Sequence, residues 1–69
     1  MSHWSKDAVV ERAIDDATEM TTIELGQLLI SKDENLTWEN ISSHVKDRDD
    51  LTDRAIDILV EEYMNQSPY

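Results

Sequence analysis

Carboxylates are the chemistry this chain has to offer. Eight of its sixteen Asp and Glu residues stand in two rows at a strict spacing of four: Asp7, Glu11, Asp15 and Glu19, then, forty-two positions on, Asp49, Asp53, Asp57 and Glu61. Closely spaced carboxylates can share a proton as general acid and base, hold a divalent cation, or present a negative field to a cationic partner. Acid–base work needs an environment that drives two pKa values apart, and a solvated row provides none. Neither Asp33-Glu34-Asn35 nor Asp47-Arg48-Asp49-Asp50 continues with the Gly at position six and Glu at position twelve of a calcium loop, so loose divalent binding is expected but no specific metal site. The electrostatic use is left.

No other chemistry competes with it. The chain has no cysteine nucleophile and no serine set between the glycines of a nucleophile elbow. His3 lies near the start of the chain, and His44, late in an expected helix, is most simply a favourable partner of the helix dipole. No catalytic residue, no enzyme activity and no cofactor are expected.

The elements that carry the rows read as helices. One Gly, one Pro and apolar residues recurring at three and four argue for an all-α fold, a compact bundle of three to four short helices in a single domain over residues 1–69. The helices are expected at about 6–19, 22–31, 38–46 and 51–64, with a flexible tail at 65–69. Ser5 reads as the first N-cap, and Val9, Val10, Ala13, Ile14 and Ala17 as one apolar face, with the first row on the opposite side. Thr21 followed by Glu24 is a capping box opening the second helix, whose apolar residues are Ile23, Leu25, Leu28, Leu29 and Ile30. Its interior Gly26 costs about 1 kcal/mol relative to Ala and marks the close approach of a neighbouring helix. Thr37 caps a third helix with Trp38, Ile41 and Val45. Asp49 or Asp50 caps the last, with Leu51, Ala55, Ile56, Leu59, Val60 and Tyr63. In a chain without Phe, Trp38 is expected at the centre of the core; Trp4 covers one end or anchors an interface.

On helices the rows oppose folding. Like charges four apart cost roughly 0.2–0.5 kcal/mol per pair, and each row contains three such pairs. Both helices also finish with acids, where the dipole penalises negative charge by roughly 0.3–1 kcal/mol. A chain selected only for folding would place Lys or Arg there. Each row frames the tetrapeptide Arg-Ala-Ile-Asp, at Arg12–Asp15 and again at Arg54–Asp57, a recurrence that similar demands on two outer helices explain as well as duplication does. Arg12 is expected to hold its row through Asp15 and Asp16, and Arg54 through Asp50 and Asp57.

Charge sets the class of partner. Six Lys and Arg against sixteen Asp and Glu give −10, and the cations are scattered, so direct nucleic-acid binding and attraction to anionic membranes are excluded. No run approaches the roughly 20 apolar residues of a membrane span, the N-terminus has neither the basic nor the apolar part of a signal peptide, and the absence of cysteine fits a reducing, cytoplasmic location. The expectation is a small acidic interaction protein that binds a basic surface of another protein and modulates or inhibits it, with Glu11, Asp15, Glu19, Asp53, Asp57 and Glu61 as contact residues. Its most specific form is a DNA mimic aimed at a nucleic-acid-handling protein. Acidic, cysteine-free helical inhibitors of this size are common among phages and mobile elements.

Three readings compete with it. Residues 36–45 have the look of the first helix of a helix-turn-helix regulator, but the recognition helix would carry Asp50, Asp53 and Asp57 into a polyanionic groove. An acidic row can also be no more than the solvated face of a structural helix. Halophilic adaptation explains total acidity better than register. Facing rows repel, so the chain is expected as a monomer or weak homodimer. Self-repulsion at −10 should make the fold salt-stabilised: its melting temperature is expected to rise between low and moderate salt, and a melt indifferent to salt would contradict this.

Overall fold

Two of the helices begin at a residue whose side chain caps them. The computed structural model describes residues 6–66, which contain no strand and four helices: α1 Lys6–Glu19, α2 Thr22–Lys32, α3 Ile41–His44 and α4 Arg48–Asn65. The Thr21–Glu24 capping box forms as expected, Thr21 Oγ1 accepting from the Glu24 N–H and Glu24 Oε1 from the Thr21 N–H. The first-helix cap expected at Ser5 lies outside the described residues, as do His3, Trp4 and residues 67–69 of the tail.

The second half departs from the sequence reading in two places. A helix expected over 38–46 is a turn followed by the four residues of α3. Thr37 and Asn40 close that turn reciprocally, Thr37 N–H to Asn40 Oδ1 and Asn40 N–H to Thr37 Oγ1, and Asn40 Nδ2 ties it to the Asn35 carbonyl. Val45 then leaves the helix in an extended conformation (φ −127°, ψ 128°), which turns its side chain toward the core. The last helix starts at Arg48, not 51, because the cap is Asp47 and neither Asp49 nor Asp50: Asp47 Oδ1 accepts from the Asp50 N–H. Asp50 instead accepts from the Lys46 N–H just outside the helix. At the other end α4 runs on to Asn65, the residue at which the tail was expected to start.

α4 organises the bundle. Its first residue, Arg48, donates to the Met20 carbonyl and Thr22 Oγ1 at the α1–α2 turn, and near its far end Glu62 pairs with Lys32 at the end of α2. It therefore runs parallel to α2 and antiparallel to α1, packing on both. Across its two short dimensions the molecule measures 22 × 14 Å between Cα atoms. Helix axes 8–10 Å apart, each with a Cα radius of about 2.3 Å, give about 13–15 Å, so the bundle is two helices deep and the core one side-chain layer thick. That layer holds Ala13, Ala17, Leu25, Leu29, Leu36, Leu51, Ala55 and Leu59, with Val9 buried as well.

The core differs from expectation at its margins. Val9, Ala13 and Ala17 are buried on α1, but Ile14 is 43% exposed, and on α2 Ile23 is 65% exposed. Trp38, expected at the centre, is 52% exposed. With α3 reduced to a single turn, its ring lies across the outside of α2 at Gly26, where a Cβ would stand 2.7 and 2.8 Å from Cζ3 and Cη2. Gly26 thus answers to a close approach, made by an indole in place of a helix. Gly26→Ala should gain about 1 kcal/mol of helix propensity while forcing the ring outward, leaving stability within about 1 kcal/mol of the parent. The indole emission, read in a Trp4→Phe background, should shift to the red. Unchanged emission would mean that the ring does not rest on Gly26.

Candidate functional site

The two rows occupy the helices that pack directly on each other. α1 places Glu11, Asp15 and Glu19 on its exposed side, away from Val9, Ala13 and Ala17, and α4 exposes Asp53, Asp57 and Glu61; the outer members Asp7 and Asp49 are exposed too. Neither helix has a basic residue in its last turn, whereas α2 ends with Lys32. The missing dipole complement is specific to the helices that bear the rows.

Side-chain partners divide the acids more sharply. Among the described residues, none of the eight row carboxylates makes a hydrogen bond or ion pair. Of the eight other acids, six do: Asp16 with Arg12 and Tyr63, Glu24 and Asp47 in caps, Asp33 with the Asn35 N–H, Asp50 with Arg54 and Lys46, and Glu62 with Lys32. The three ion pairs all go to acids outside the rows. Arg12 was expected to reach Asp15 as well as Asp16, and Arg54 both Asp50 and Asp57; the pairs formed are Arg12–Asp16 at 3.7 Å and Arg54–Asp50 at 3.3 Å, each i,i+4, and Asp15 and Asp57 are left bare. These pairs are substantially exposed and contribute little to stability one by one. Their effect is on placement: they use cations without neutralising the rows.

Tyr63 joins the two row-bearing helices, a contact with no local signature because its partner is forty-seven positions away. Its hydroxyl donates to Asp16 Oδ2, and the Arg12 guanidinium lies 6.0 Å from the ring centroid. The Asp16 carboxylate, reinforced by partial burial, pushes the Tyr63 pKa from 10.0 up to about 12. Asp50 moves the other way: the Lys46 N–H, helped by Arg54 against some desolvation, holds its carboxyl below 3.8. Among the described residues no group of His, Asp and Glu is placed to hold a metal ion, and no helix is long and apolar enough to cross a membrane. His44 is exposed at the end of α3.

Set against protein-family models, characterised proteins and solved structures, the chain matches none.

The Tyr63–Asp16 bond carries a pH signature. A folded-state pKa raised above the unfolded value contributes stability that is complete below about pH 10 and is lost as pH rises toward 12. Tyr63→Phe is expected to lose about 1 kcal/mol near neutrality, and its deficit relative to the parent should shrink across that window in urea unfolding. A deficit that stays constant would show that packing of the ring, not the hydroxyl, ties α4 to α1.

Proposed function

We propose that this chain is a small non-catalytic interaction protein that binds a basic surface of another protein and modulates or inhibits it, with Glu11, Asp15, Glu19, Asp53, Asp57 and Glu61 as the contact carboxylates. The observation that carries the proposal is the division of partners: among the described residues every row acid is bare, while caps, turns and all three ion pairs draw on acids outside the rows. A merely solvated surface gives cations no reason to avoid eight acids in favour of the rest. Each step along a row rises about 6 Å, comparable to successive phosphates along one nucleic-acid strand and sparser than the duplex total of one charge per about 1.7 Å. The finer proposal is therefore a partner that handles nucleic acid, its groove occupied by rows that imitate the backbone. The lack of cysteine suits action in the reducing cytoplasm.

Converting Asp15 and Asp57 to Asn, and Glu19 and Glu61 to Gln, takes the charge from −10 to −6 and removes four i,i+4 repulsions. Stability is expected to hold or rise by up to about 2 kcal/mol. Proteins captured from a lysate at low salt and released as salt rises should be lost, since four exposed pairs at about 0.2–1 kcal/mol each amount to roughly fourfold or more in affinity. Capture that survives the quadruple substitution would reduce the rows to a solvated face.

A further inference from the structure

The largest exposed ring among the described residues sits beside a groove that the acidic rows do not account for. Trp38, just before α3, is half exposed, and Ile23, on α2, is two-thirds exposed. Between Trp38 and the start of α4 runs an apolar groove of 190 Å³, walled by Gly26, Trp38, Ile41, Val45 and Leu51. An exposed apolar patch of this kind marks an interaction surface, and a tryptophan with one face already held is a typical hot-spot anchor. Trp38 is held in that way, because only a glycine at position 26 lets its ring lie against α2.

Charge decides what fills the groove. Asp47 stands on the rim, and Glu39, the exposed neighbour of Trp38, has no hydrogen bond or ion pair among the described residues. Among the lining residues the one cation, Arg48, keeps its charge while donating to the Met20 carbonyl and Thr22 Oγ1 and offsets Asp47, which caps α4, so the field at the groove is set by the net −10 of the chain. A second copy of the chain would bring another ten negative charges to this rim. We infer that the groove receives a leucine-sized apolar side chain from a partner segment flanked by Lys or Arg. The volume is adequate for one such group, given that an engineered apolar cavity of about 150 Å³ binds benzene. This inference rests on the proposed basic partner and adds the apolar contact that anchors it.

The test changes the ligand and leaves the protein's fold alone. The full chain carrying Trp4→Phe, with Trp38 as its sole tryptophan, is titrated at low salt with the peptide acetyl-Lys-Arg-Gly-Leu-Gly-Arg-Lys-amide, with the same peptide carrying Ala for Leu, and with one carrying Glu for every Lys and Arg. The Leu peptide is expected to bind roughly tenfold or more tightly than the Ala peptide, to alter Trp38 emission, and to shift the backbone amides of Gly26, Ile41, Ser42 and Val45. Equal affinity for the Leu and Ala peptides, with shifts confined to α1 and α4, would overturn the groove and leave the electrostatic proposal standing. No binding of either basic peptide would overturn both. Equal binding of the acidic peptide would overturn the basic flank, and concentration-dependent self-association with shifts in the groove would assign it to a second copy and overturn the inference.

Discussion

A core one side-chain layer thick has to hold together a chain with ten excess negative charges, and the rest of the structure answers to that constraint. Three of the nine buried side chains are alanines, Ala13, Ala17 and Ala55, which let helices close but remove little apolar surface from water. With so little hydrophobic stabilisation available, polar contacts appear at the seams. Arg48 closes the α1–α2 turn onto α4, Lys32 joins the end of α2 to Glu62, and Tyr63 bridges to Asp16 under Arg12. Cations are scarce, and three of the six are placed where two elements meet.

That placement has a consequence for the surface. A chain with six cations and sixteen acids must leave most acids unpaired, but it is free to choose which. Here the caps and seams take the acids that lie off the rows, and the rows keep full charge along α1 and α4. The contrast with α2, which has both an acidic first turn and a basic last turn, shows that this chain can complement a helix dipole. On α1 and α4 the last turn has no base at all. Local rules broken at one kind of position, while kept elsewhere in the same small fold, are the usual mark of a functional demand.

The legible parts of the structure were those decided within one or two helical turns. The bounds of α1, its buried Val9, Ala13 and Ala17, the Thr21–Glu24 box and the crowding at Gly26 all follow from nearest-neighbour chemistry. Trp38, Ile41 and Val45 misled because their spacing fits a helical face and also fits a capped turn, a single helical turn and an extended exit; choosing between them depends on Asn40 competing for the Thr37 and Asn35 backbone. Arg54 had acids at both i−4 and i+3, and Arg12 at i+3 and i+4, so register alone left the pairing open. Arg48 and Tyr63 find partners twenty-six to forty-seven positions away, and no local pattern announces them. Of the candidate site, exposure of the rows was legible, whereas their lack of partners was not, since it depends on where every cation ends up.

The rows and the groove differ in range, and the proposed complex needs both. At physiological salt the Debye length is about 8 Å, so bare carboxylates would steer the proposed basic surface and raise the rate of encounter, while exposed pairs once formed would hold it only weakly. Residence is governed by contacts that exclude water, and differences in affinity lie mostly in the off-rate. In this bundle an apolar contact of that kind is offered where Trp38 rests on Gly26 beside Ile41 and Val45. Folding alone would have been served by drawing the indole into the thin core. Its position outside, half in water and fixed by a glycine that weakens the helix beneath it, runs against stability in the same sense as the bare rows, and the proposed partner, both basic and apolar, would account for the two departures together.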